Sequence, residues 1–144
     1  MSVFVVDASV VVKWFVPEIH SEAARRLLEL PHEYASPDLL FAEVANTIWK
    51  KIRRKELTAD DGRRLVVGME RIAVEAISCR ELAVDAHALA NATGQTVYDA
   101  TYVALAVRLD TRLLTADDRL EAAVGNVPAL AGHIQLVQTF ESGA

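Results

Sequence analysis

Asp7, Glu43, Asp99 and Asp117 are spread across 144 residues, yet each stands where an apolar segment begins, ends or turns. Asp7 closes the run Val3-Phe4-Val5-Val6, and Asp117 follows Arg112-Leu113-Leu114-Thr115, so both are expected just past the C-terminal end of a short strand. In a parallel α/β sheet those ends share one edge, the edge at which ligands bind. Two carboxylates about 5 Å apart repel by roughly 3 kcal/mol at an effective dielectric near 20, and four multiply the pairs. Such a cluster requires protons or cations, and hard divalent ions such as Mg²⁺ or Mn²⁺ suit carboxylate oxygen.

Each acid also has an ordinary role. Asp is a favoured N-cap, and Asp7, Asp99 and Asp117 all stand near a helix start; Thr115-Ala116-Asp117-Asp118 even has the spacing of a capping box with Asp118 answering the Thr115 hydroxyl. The roles are compatible, because a carboxylate fixed at the end of a buried strand is well placed to hold a metal rigidly. Glu43 taken alone is a solvated helix glutamate; Asn46, one turn later, could hydrogen-bond it, a water or a phosphate. Ser9 and Thr115, two residues from Asp7 and Asp117, could orient carboxylates or water, or act as local caps. Lys50, Lys51, Arg53 and Arg54 end a helix in positive charge, which is either a solvated dipole complement or a phosphate track leading RNA to the acids. His20, His32, His87 and His133 have no nucleophile-elbow sequence beside them, which disfavours a Ser-His-Asp hydrolase.

The elements that must position these residues alternate. Residues 3–6 read as a buried strand and 8–15 as a short helix ended by Pro17. A helix over 22–30 stops at Pro31, and Tyr34-Ala35-Ser36 forms a second strand. From Asp38 a longer helix runs to about Arg54, with Phe41, Ala45, Ile48 and Ile52 at helical spacing along its buried face. Thr58 opens another helix with Asp60 and Asp61 in its first turn. A strand over 74–77, helices over 81–91 and 98–109, a strand at 113–114, a helix over 118–124 and a strand over 134–137 complete the chain, with Gly94 as a helix stop. The 98–109 segment is apolar almost all round and should be buried. This alternation favours a parallel sheet covered by helices on both faces.

The length fits one domain over 1–144 with its own core. A hydrophobic content of 52% with 24% charge argues against disorder, and no apolar run approaches the roughly 20 residues of a membrane span. A soluble, cytoplasmic protein is expected, since Met1-Ser2-Val3-Phe4 does not read as a signal peptide. The single Cys79 has no partner for a disulfide or zinc site. A net charge of −5 argues against nucleic-acid binding by overall charge, so any contact must be local or cation-mediated. Trp14, Phe15, Phe41 and Trp49 are read mainly as core, with one or two available to a partner groove.

Four segments in order, Val5-Val6-Asp7-Ala8-Ser9-Val10, Pro37-Asp38-Leu39-Leu40-Phe41-Ala42-Glu43-Val44-Ala45-Asn46, Tyr98-Asp99-Ala100-Thr101-Tyr102-Val103-Ala104-Leu105-Ala106 and Leu114-Thr115-Ala116-Asp117, resemble the PIN-domain ribonucleases, most of all the VapC-type toxins. Lys13-Trp14-Phe15 also looks typical. The resemblance implies a three-layer α/β/α fold with a parallel sheet of about five strands, and a Mg²⁺- or Mn²⁺-dependent endoribonuclease acting as the toxin of a toxin-antitoxin pair. It implies metal-binding and catalytic roles for Asp7, Glu43, Asp99 and Asp117, with support from Thr115 and Asn46; Ser9, from its own position, and the extra neighbour Asp118 are counted with the supporting residues. It further implies a homodimer, an RNA substrate and a VapB-type antitoxin; no membrane partner is expected from the apolar runs. The competing readings are a PIN-like RNA- or protein-binding module without turnover and a Mg²⁺-dependent phosphoacceptor receiver. The receiver normally has paired acids after its first strand, where here Asp7 precedes Ala8 and Ser9. A haloacid-dehalogenase-type phosphatase would need an acid at Ser9.

Overall fold

The computed structural model describes residues 2–141. Five strands, β1 (Val3–Val6), β2 (Glu33–Pro37), β3 (Val74–Ile77), β4 (Leu113–Thr115) and β5 (Ile134–Leu136), form one all-parallel sheet in the order β3-β2-β1-β4-β5. Val5 lies between Ala35 and Leu113, so β1 is central. Phe4, Val5 and Val6 are buried, so both faces of the strand are covered, as a parallel strand under two helical layers requires.

The helices are α1 (Ala8–Phe15), α2 (Ser21–Arg26), α3 (Leu39–Arg53), α4 (Ala59–Met69), α5 (Cys79–Thr93), α6 (Val97–Arg108) and α7 (Asp118–Gly125). From β1 the chain steps through β2 to β3; it then crosses to β4 and continues to β5 on the other side of β1. With right-handed crossovers, that reversal puts α1–α4 on one face and α5–α7 on the other, and it agrees with the contacts of α3 with α1 and α4 and of α5 with α6. The chain is therefore a three-layer α/β/α structure. Its topological switch point falls between β1 and β4, where the crevice above the strands opens.

Two expectations need correction. The second helix is shorter than residues 22–30: α2 ends at Arg26, a 3-10 turn covers Leu27–Glu29, and Leu30 is already extended at φ −88°, ψ 152°. Pro31 disfavours the helical conformation at Leu30, so the helix cannot run to the proline unstrained. In α3 the fully buried row is Leu40, Val44, Ile48 and Lys51, while Phe41, Ala45 and Ile52 are half-buried. The buried face is thus turned from the one read off the sequence, because α3 packs on α1 and β2 as well as on α4. α6 matches its pattern: every residue from Ala100 to Ala106 is buried. Trp14, Phe15 and Phe41 pack against the core, whereas Trp49 is 54% exposed with the Arg53 guanidinium 5.8 Å from its ring centre. Among the described residues no helix is long and apolar enough to cross a membrane.

Candidate active site

Asp7 follows β1 in an extended conformation and caps α1, with Oδ1 accepting the Val10 N–H at 3.3 Å. Two hydroxyls complete its shell. Ser9 Oγ donates to Oδ1 at 2.6 Å, and Thr115 Oγ1, arriving from the end of β4, donates to Oδ2. The backbone locks both hydroxyls in turn: the Ala116 N–H donates to Ser9 Oγ at 2.9 Å and the Asp117 N–H to Thr115 Oγ1 at 3.1 Å. This net ties the ends of β1 and β4 together at the switch point. Asp7 is 6% exposed, and burial pushes its carboxyl up to about 6, against the opposing pull of its Ser9, Thr115 and Val10 bonds. The Asp117 charge adds to the rise.

Asp117 is the N-cap of α7, its Oδ1 accepting the N–H groups of Arg119 at 3.0 Å and Leu120 at 3.1 Å. The proposed capping box is therefore absent. Asp117 itself takes the cap, the Thr115 hydroxyl turns to Asp7, and Asp118 is an exposed residue of the first turn.

Asp99 lies in the first turn of α6, whose cap is Thr96; its N–H donates to Thr96 Oγ1 at 3.1 Å. Burial raises the Asp99 carboxyl above its ordinary value, the Asp117 charge raises it further, and a Thr96 hydrogen bond opposes both.

Glu43, one turn into α3, is half-buried rather than solvated. Its Oε1 accepts a short hydrogen bond from the hydroxyl of Tyr102, a residue that is 1% exposed. Burial raises the Glu43 carboxyl, the Tyr102 bond lowers it, and the Asp99 charge raises it.

The electrostatic couplings run from Asp7 to Asp117, from Asp117 to Asp99 and from Asp99 to Glu43, so all four acids share one edge of the sheet. Crowding and desolvation make that edge a poor place for bare negative charge, which is the condition that favours binding a cation. Among the described residues no three Asp, Glu, His or Cys side chains close tightly enough to cage an ion by themselves. The four acids offer an all-oxygen donor set, the type that suits a hard divalent ion. A cavity of about 510 Å³ lies elsewhere, lined by Ser2, Phe4, Arg112 and His133 at the opposite ends of the strands.

Asn46 is exposed and makes no hydrogen bond to Glu43. The basic group also divides. Lys51 is buried, its Nζ 2.8 Å from Glu18 and 3.7 Å from Glu56, so it is withdrawn from any surface track. Arg54 pairs with Glu56 at 2.9 Å, and Lys50 and Arg53 are exposed around Trp49. Sequence reasoning missed Tyr102 as a partner of Glu43. Its one signal was its position three residues after Asp99, on the same helical face.

The fold and the acids at its switch point define the class as a three-layer α/β/α protein with an acidic sheet edge. Residues 4–126 match the PIN-domain family, and the chain belongs to that family. It is 42% identical over 118 residues to "Ribonuclease VapC3" of Pyrobaculum aerophilum, covering 81% of this chain and 90% of that protein. Two solved structures share the fold. A toxin-antitoxin complex from Klebsiella pneumoniae aligns with a TM-score of 0.65 at 15% identity, over 93% of this chain and 97% of the other. Mycobacterium tuberculosis VapC20, described as a sarcin-ricin loop cleaving toxin, aligns with a TM-score of 0.65 at 16% identity, over 83% of this chain and 94% of the other.

Proposed function

We propose that this chain is an endoribonuclease of the VapC kind that depends on Mg²⁺ or Mn²⁺ and acts as the toxin of a toxin-antitoxin pair. The observation that carries the reading is the acidic edge itself: four carboxylates from β1, α3, α6 and the start of α7, electrostatically coupled at the switch point. The likeness to a named VapC ribonuclease over four-fifths of the chain supports the same substrate class.

Asp7, Glu43, Asp99 and Asp117 are the residues that would hold the cation. When bound, a divalent ion in such a site activates water for attack on phosphorus and neutralises charge on the leaving oxygen. Asp7 is the fixed reference point, because Ser9 and Thr115 hold both of its oxygens. The N-cap bonds of Asp117 engage Oδ1 and leave Oδ2 for the site. The expected products are a 5′-phosphate and a 3′-hydroxyl.

Lys50, Arg53 and Arg54 supply local positive charge for an RNA backbone or an antitoxin despite the net charge of −5. An antitoxin partner is supported by the fold shared with toxin-antitoxin complexes, and a homodimer of single PIN units is the proposed assembly. The test is incubation of purified protein with total cellular RNA in Mg²⁺, Mn²⁺ or EDTA. Discrete fragments that require metal and vanish in Asp7→Asn support the reading. No cleavage in either metal by folded, antitoxin-free protein overturns it.

A further inference from the structure

Two of the four acids have their carboxylate oxygens held by donors close to them in sequence or on the neighbouring strand, Asp7 by Ser9, Val10 and Thr115 and Asp117 by two backbone N–H groups of α7, but Glu43 does not. Glu43 sits on α3 with no local side-chain donor; Thr47 Oγ1 bonds only its main-chain carbonyl. It is also the longest of the acids, and an unrestrained Glu side chain gives up on the order of 1–2 kcal/mol of rotamer entropy when fixed. Tyr102 supplies that restraint from the opposite helical layer.

We propose that Tyr102 is the positioning residue of this site: its hydroxyl occupies Oε1 of Glu43 and leaves Oε2 alone facing the other acids, so that Glu43 meets the cation through one oxygen. The inference rests on the metal-dependent reading of the acidic edge. Three observations carry it. The tyrosine ring is locked in the core, in the middle of the buried stretch of α6, so the hydroxyl is a rigid donor. Asp99 and Tyr102 are three residues apart on one helix, so α6 delivers both an acid and the anchor of a second acid as one body. The bond also joins α6 to α3 across the switch point, fixing the gap between Glu43 and Asp99 that a cation must span. Such outer residues orient metal ligands at many sites, and their loss weakens metal affinity.

The test is Mn²⁺ binding by isothermal calorimetry on the intact chain, without RNA. Tyr102→Phe keeps the buried ring and removes only the oxygen; it should weaken Mn²⁺ binding about tenfold or more. In a Glu43→Ala background the same change should have no further effect, an outcome that a merely structural role for the hydroxyl would not produce. Glu43→Asp, which shortens the side chain on a helix face and leaves the core alone, should weaken binding similarly and make Tyr102→Phe silent. Circular dichroism establishes that Tyr102→Phe is folded before its affinity is compared. Wild-type affinity in Tyr102→Phe, or an equal loss with and without Glu43, overturns the inference while leaving the metal-dependent reading standing. Absence of Mn²⁺ binding by the wild-type protein overturns both.

Discussion

Metal-free protein should lose stability as the pH rises through about 6, and Asp7 is a principal cause. Folding raises its carboxyl from 3.8 to about 6, so the folded state prefers the protonated form. The stability this group contributes is fully present below pH 3.8 and is lost as the pH rises through about 6. A rise of about two pH units corresponds to about 3 kcal/mol at roughly 1.4 kcal/mol per unit, a large share of the stability of a small domain. Glu43 and Asp99 shift in the same direction and add to the loss, whereas Glu18, lowered by Lys51 and Lys13 despite its own burial, works against it. The Asp7 contribution is isolated by comparing wild type with Asp7→Asn in urea unfolding with EDTA, at pH 4.5 and pH 7.5, values chosen to fall roughly on either side of the transition. Asparagine cannot ionise, so the variant should gain on the wild type by about 2–3 kcal/mol at the higher pH while losing nuclease activity. Saturating Mg²⁺ should restore much of the wild-type deficit, because binding favours the ionised form. Parallel pH dependences in the two proteins, without metal, would refute the reasoning.

Other changes probe the supports. Thr115→Val removes the buried hydroxyl that donates to Asp7 and accepts from the Asp117 N–H; it should cost about 1–3 kcal/mol in urea unfolding and lower nuclease activity. Glu18→Ala strips the carboxylate shared by Lys13 at 3.1 Å and Lys51 at 2.8 Å, leaving two largely buried ammonium groups underpaired. A loss of about 2–4 kcal/mol is expected, and it should fade below the Glu18 titration, where the wild-type pair is also broken. Gly62→Ala would place a Cβ 2.4 Å from Ile52 Cδ1 and 2.9 Å from Cγ1 where α4 crosses α3. That overpacking should cost about 1–3 kcal/mol in thermal or urea unfolding, with metal binding unchanged.

Much of this site was legible because its parts carry local signatures. The Val-rich run before Asp7, the largely apolar 100–106 segment after Asp99 and the Leu113-Leu114 pair before Asp117 place three acids at element boundaries, and all three boundaries are observed. Contacts between distant elements were not legible. Helical spacing puts Tyr102 on the Asp99 side of α6 but carries nothing about which residue faces it, and Glu43 lies 59 positions away. Lys51 looked like one more cation in a basic helix end, because its partner Glu18 lies in the loop between α1 and α2. The order of the sheet, and with it the switch point, depends on which strands pair, and strand pairing leaves no mark on any single segment. The early end of α2 was within reach, since Pro31 restricts Leu30 directly.

The central claim is that Asp7, Glu43, Asp99 and Asp117 act as one cation-binding unit that cuts RNA. The most direct test is single-turnover cleavage of one oligoribonucleotide, chosen from fragments released by the wild-type protein, in Mg²⁺ or Mn²⁺. Asp7→Asn, Glu43→Gln, Asp99→Asn and Asp117→Asn are measured beside it, each confirmed as folded by circular dichroism. The account predicts that every variant loses at least about 100-fold and that combining two changes adds little, as expected of residues working as a unit. Near-wild-type cleavage by any one variant, or cleavage by the wild type that persists in EDTA, would contradict it.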